Sequence, residues 1–156
     1  MAGYHVIADV SERLLELIRD GLRERSDVLE VDPSSVAVVS PSDVDEESDI
    51  RLGLYLYSVT ENPTMANTDR SRVSDTRHRD PPLALDLQYL LTAYPGSSDR
   101  AETVRSLTQQ RLLGFAMQLL HDDARIDPAD LHGAVETDVS PQISVTSEPL
   151  DVVTGL

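Results

Sequence analysis

The chain contains no cysteine, no tryptophan and no lysine. Without cysteine there are no disulfides, no thiolate metal sites and no cysteine nucleophile. Aromatic residues make up 4% of the 156 residues, with a single Phe, so Leu, Val and Ala must fill any core. Only seven glycines are present, and none builds a Gly-rich phosphate loop. No run reaches the ~18 apolar residues of a membrane span, and no basic segment followed by an apolar stretch marks a secretory signal. Positive charge is scarce: 13 basic residues stand against 28 acids, for a net charge of -15 and a pI near 4.4. That balance excludes a surface built to bind nucleic-acid phosphates.

Hydrophobic residues supply 40% of the chain, enough for one globular domain with a moderate core. All 13 basic residues are Arg, and Asp outnumbers Glu by 18 to 10. Two readings fit this bias. One is a cytoplasm at very high salt, where screening removes the repulsion among acids. The other is codon usage in a GC-rich genome, which also favours Arg over Lys.

Periodicity orders the chain. In "YHVIADVSERLLELIRDGL", Val6, Val10, Leu14, Leu17 and Ile18 follow the spacing of an amphipathic helix, with Gly21 as its expected stop. Val36 to Val39 is a short β-branched run closed by Pro41. "RLGLYLYSVTE", residues 51 to 61, is apolar on both faces and is expected inside a sheet, with Gly53 permitting a close approach. Tyr55 and Tyr57 are assigned to the core or to a subunit seam. "PPLALDLQYLLTAY", residues 81 to 94, alternates strictly. Leu83, Leu85, Leu87, Tyr89 and Leu91 are expected on a core face, and Asp86 and Gln88 opposite, toward a neighbouring subunit or solvent. A helix capped by Asp99 with Glu102 runs to about His121, its "LLGFAMQLL" half apolar nearly all round and expected buried. A last strand is expected at Ile143 and Val145.

Between two of these strands, residues 62 to 80 are nearly free of large apolar residues, and loops of that length are functional or disordered. Arg70, Arg72, Arg77 and Arg79 cluster there. They read either as a solvated connection paired with nearby acids or as an arm that docks on an acidic partner. The resulting order is α, β, β, long loop, β, α, β. It predicts an α+β fold: a mixed or antiparallel sheet of about four strands with two main helices on one face.

Motifs for chemistry are missing. "HRD" at residues 78 to 80 lacks the Asn that a kinase catalytic loop places five residues later, since position 85 is Leu. The carboxylates of "DVDEESD", residues 43 to 49, lack the Gly and the Glu of a calcium loop, having Ser48 and Leu54 in those places. His5, His78, His121 and His132 show no metal-ligand spacing, and His121 suits a helix C-terminus for its dipole. No Ser sits in a G-x-S-x-G elbow. No catalytic residue, metal ligand or cofactor is therefore assigned, and the chain is not expected to be an enzyme.

Taken together and in order, "YHVIADVSERLLELIRDGL", "SPSDVD", "LGLYLYSVTENP", "PPLALDLQYLLTAY" and "RLLGFAMQLLHDD" resemble the N-terminal domain of the tail-terminator, or cap, proteins of extracellular contractile injection systems of the antifeeding-prophage type. The resemblance covers nearly the whole chain. It implies a structural role without cofactor: a ring of identical copies, six by analogy with tube and sheath, that ends the inner tube and holds the last sheath layer. The partners it implies are those copies, the inner tube protein and the sheath protein. It also implies cytoplasmic synthesis followed by assembly into a particle that can leave the cell. A sheath- or baseplate-associated adaptor of the same particle is the alternative. Two features depart from the pattern. The further strand expected after "PLDVVTGL", following a Leu-Trp pair, is not in the sequence, so that the product is short, a partner supplies the strand or the chain continues further, and the arm at 62 to 80 is longer and richer in Arg. The docking mode of Arg70, Arg72, Arg77 and Arg79 is therefore not carried over.

Overall fold

The computed structural model describes residues 5–27, 29–62, 71–74, 77–79, 85–95, 101–123 and 126, with only the backbone of 71–74 and 77–79. Among the described residues it is an α+β structure of two α-helices, a three-stranded mixed sheet and a two-stranded one, in agreement with the expected class. The elements are α1 (Val6–Glu24), β1 (Val36–Val38), β2 (Leu52–Glu61), β3 (Ser71–Ser74), β4 (Arg77–Arg79), β5 (Leu85–Ala93) and α2 (Glu102–Asp122). The chain divides into two compact units, one of residues 1–54 and 91–156 and one of residues 55–90.

The first unit holds the core. On α1 the apolar positions converge on Leu14, Leu17, Ile18 and Leu22, all buried, while Glu12, Glu16, Asp20 and Glu24 stay exposed one turn apart. The helix does not stop at Gly21 but continues to Glu24. Gly21 instead lies tightly against α2: a Cβ there would collide with Leu119 Cδ1 and stand 2.8 Å from Leu119 Cδ2. A glycine in a helix interior costs about 1 kcal/mol relative to alanine, and the close helix approach is what that cost permits. α1 packs on β1 as well as on α2.

Sheet order is β1-β2-β5, so β2 lies inside, as its two apolar faces require. β1 and β2 run parallel, with Val36, Ala37 and Val38 opposite Leu52, Gly53 and Leu54. A parallel pair needs a crossover of a dozen residues or more, and the acidic connection from Val39 to Arg51 supplies it without an α-helix. Leu52 and Leu54 are fully buried. Gly53 does admit a close neighbour, the Tyr94 ring, whose Cε2 would stand 3.1 Å from a Cβ. The Tyr94 amide donates to the Arg51 carbonyl at 2.8 Å, joining the end of β5 to the start of β2.

The core reading of β5 is corrected. Leu85, Leu87, Tyr89 and Leu91 are only half-buried, and the buried residue of the strand is Ala93 at its end. Leu83 lies outside the described residues. Alternation specifies a strand face, but burial depends on what packs against it. In the described part of the second unit, residues 55–62 and 85–90, no residue is buried.

α2 also departs from expectation. Its N-cap is Ala101, with no side-chain cap, and Asp99 lies outside the described residues. Its apolar second half is buried only along Leu112, Ala116 and Leu120, whereas Met117 remains exposed. The expected strand at Ile143 and Val145 falls outside the described residues.

Candidate interaction surfaces

Residues 62 to 80 are not all connection: β3 and β4 pair antiparallel there, with Ser71 opposite Arg79, Arg72 opposite His78 and Ser74 opposite Arg77. The register shifts between Arg72 and Ser74, an irregularity of the β-bulge kind in a short hairpin. Three of the four arm arginines thus sit on paired strands, and Arg70 lies outside the described residues. Polar residues make such a hairpin invisible to hydrophobic patterning, because backbone pairing rather than an apolar face defines it. Asp86 and Gln88 share β5 within the same unit. Asp86 is exposed and accepts a hydrogen bond from Asn62 Nδ2 at 3.0 Å, while Gln88 is half-buried. Of the two tyrosines, Tyr55 is exposed and Tyr57 half-buried, so neither joins the core.

In the first unit, side chains from the two helices occupy backbone carbonyls of the two outer strands. Arg19 Nη2 donates to the Val36 carbonyl of β1 at 2.7 Å. Gln109 Nε2 donates to the Ala93 carbonyl of β5 at 2.6 Å. Open strand edges are sites of uncontrolled pairing, and these two bonds occupy acceptors that an added strand would use.

An open depression lies beside α1, lined by Arg19, Arg23, Asp32, Pro33 and Ser34. Its charges are already engaged. Arg23 pairs with Asp20, and the amide and hydroxyl of Ser34 each donate to Asp32 at 2.9 Å. Those bonds hold the Asp32 carboxyl below its usual pKa. Among the described residues no group of three or more His, Asp or Glu is placed to hold a metal ion. His121 sits in the last turn of α2, exposed, where a helix dipole favours it. No described helix is long and apolar enough to cross a membrane.

The acidic connection is a turn built on its own side chains. Pro41–Asp43 forms a single 3-10 turn. The Asp45 carboxylate then accepts from the Glu47 amide and the Ser48 hydroxyl, each at 3.0 Å. Asp43, Asp45, Glu46, Glu47 and Asp49 are all exposed, and Val38, at the end of β1, is 48% exposed.

Sequence reasoning missed one surface, the outer side of α2. Leu107, Gln110, Gly114, Met117 and His121 recur at helical spacing and are all exposed. Leu107 is 44% and Met117 38% exposed, and next to this stripe Val104 is exposed as well. A Cβ on Gly114 would meet nothing within 4 Å. The available signal was electrostatic: from Thr103 to His121 there is no acidic residue, in a chain with 28 of them.

The family model described as the Pvc16 N-terminal domain matches residues 9–154. No curated protein matches the chain.

Proposed function

Because this chain belongs to the Pvc16 N-terminal domain family, a domain of phage-tail-like contractile injection system proteins, we propose that it is the cap that closes the distal end of such a particle. The observation that carries this reading is the family match across residues 9–154, nearly the whole chain. The cap ends growth of the inner tube and holds the last sheath layer as a ring of identical copies, six if it follows the symmetry of tube and sheath. It is made in the cytoplasm and travels with the particle. The role requires surfaces rather than an active site, so neither catalysis nor a cofactor enters it.

Two physical features support a binding role. Arg72, Arg77 and Arg79 are carried on paired strands, which fixes their backbone spacing better than an unpaired loop would. Tyr55 and Val59, both on β2 in the same unit, are exposed apolar positions of the kind that interfaces bury. In this reading Arg70, Arg72, Arg77 and Arg79, with Asp86 and Gln88, meet tube, sheath or neighbouring cap chains.

Electron microscopy of particles from a strain lacking the gene tests the proposal. Tubes of uncontrolled length and an altered distal end are expected. Normal, defined lengths with an unchanged end would sink it, and density for this protein along the sheath or at the baseplate would mark an adaptor instead. For the arm, Arg72→Glu with Arg79→Glu should weaken binding of the purified chain to tube ends at least about tenfold, the loss of roughly 1.4 kcal/mol. Circular dichroism should stay unchanged. Unaltered binding removes the arm from the interface.

A further inference from the structure

We infer that the depression beside α1 is a site for the end of a polypeptide, which it takes by the terminal carboxylate and the last amide N–H. The inference goes beyond the cap reading and does not rest on it. Two stretches build the site. Along α1, Arg19 and Arg23 stand four residues apart, so their guanidinium groups share one side of the helix. Against them lies the single 3-10 turn Pro33–Ser35 that leads into β1, with Asp32 as its N-cap and α1 packed on it. Together these residues line an open volume of about 390 Å³, toward the lower end of the ~300–1,000 Å³ of small-ligand pockets.

The engagement of its charges is incomplete on both sides. Arg19 Nη2 is taken by the Val36 carbonyl, and its Nε is buried with no partner. In a chain with 28 acids, this half-buried guanidinium has no carboxylate on it among the described residues. Arg23 is held only by Asp20, in an exposed pair of a kind that gives way easily. Opposite, the amide and the hydroxyl of Ser34 both donate to Oδ1 of Asp32, which fixes the carboxylate. Its Oδ2 accepts no hydrogen bond among the described residues.

This pattern selects the ligand. Two arginines alone would suit any anion, but the Asp32 carboxylate repels an anion that brings no donor of its own. A chain end carries both groups. Its carboxylate accepts charge-assisted bonds from Arg19 and Arg23, and the adjacent N–H donates to Asp32 Oδ2. Pro33 gives the last side chain an apolar wall. A free amino acid would offer the same two groups in a smaller body. The depression is open, however, so the chain preceding the last residue can leave toward solvent, which an enclosed cavity would forbid.

The test titrates the full chain with the peptide acetyl-Ala-Ala-Leu and follows nitrogen-edited NMR spectra. The Ser34 amide and the Arg19 Nε signals should move and saturate. The same peptide with an amidated end should bind at least about tenfold more weakly, because the charge-assisted bonds are lost. Arg23→Gln should weaken the free-acid peptide by a similar factor, and its exposed position leaves the fold intact. Arg19→Gln should do the same, with the signals of the core residues unchanged. Asp32→Asn is the sharper variant. Its oxygen still accepts from Ser34, but an NH2 group replaces the free acceptor, so peptide binding should fall while binding of plain acetate rises. No saturable shift up to about 10 mM peptide overturns the inference. So do equal binding of acid and amide, an unaffected Arg23→Gln, or an Asp32→Asn chain that binds the peptide more tightly. Free leucine binding more tightly than the peptide would replace the chain end by an amino acid. None of these residues carries the cap reading, which stands or falls on the particle lengths alone.

Discussion

At the scale of single residues, Gly21 shows how one position can oppose a local preference. Alanine would favour the helix by about 1 kcal/mol, because glycine loses more backbone freedom on folding. Its methyl group would nevertheless overlap Leu119 Cδ1 and approach Leu119 Cγ to 3.1 Å. The colliding atoms are the ends of the half-buried Leu119 side chain, which must move out of the helix contact to admit the methyl group. Overpacking of this kind costs about 1–3 kcal/mol, so Gly21→Ala is expected to lose about 1 kcal/mol net. In a Leu119→Ala background the collision is gone, and the same substitution should gain up to about 1 kcal/mol through helix propensity alone. Urea midpoints of the four proteins of this cycle give the coupling directly. Additive effects would mean that α1 and α2 do not meet at this point.

At the scale of elements, the bonds that close the sheet make a second expectation. Arg19→Ala removes the donor to Val36, and Gln109→Ala the donor to Ala93. Each substitution should cost about 1 kcal/mol, the usual worth of a hydrogen bond whose acceptor is partly buried. The double variant should in addition aggregate with a rise in β-sheet signal, because both outer strands would then offer open carbonyls. A double variant that stays monodisperse would show that strand edges are protected by something other than these side chains. Legibility also divides by element. α1 and β2 were readable because one has a 3.6-residue apolar stripe and the other two apolar faces. β5 was readable as a strand, yet not its shallow burial, since alternation carries no information about the layer packed above it. β3 and β4 were hidden because Ser, Arg and His pair through backbone and show no hydrophobic rhythm. The arginine arm was visible as composition. The face of α2 was not, because a helix apolar all round reads as buried when its outer positions are in fact exposed.

At the scale of the whole molecule, the net charge of -15 has a structural counterpart. Glu12, Glu16, Asp20 and Glu24 form three like-charged pairs at four-residue spacing along α1, partly relieved by Arg13 near Glu16 and Arg23 on Asp20. Such pairs each cost about 0.2–0.5 kcal/mol in dilute buffer. The acidic turn at 43–49 adds a second repulsive cluster on the same unit. Both act through solvent, where the Debye length falls from ~10 Å at 0.1 M salt to ~3 Å at 1 M, so added salt removes most of the cost. Summed, the relief is on the order of 1–2 kcal/mol, which in a chain of this size raises the melting temperature by roughly 5 °C. We propose on this basis that the Lys-free, Asp-rich composition is an adaptation to high salt, and a melting series from low to molar sodium chloride tests it. Salts also strengthen apolar burial, so the series must be repeated with Glu16→Gln and Glu24→Gln, which thin the acidic ridge on α1. If charge repulsion is the cause, this variant starts at a higher melting temperature and gains less from salt. A native chain with full stability at low ionic strength, and the same slope in both proteins, would leave codon usage as the source of the bias.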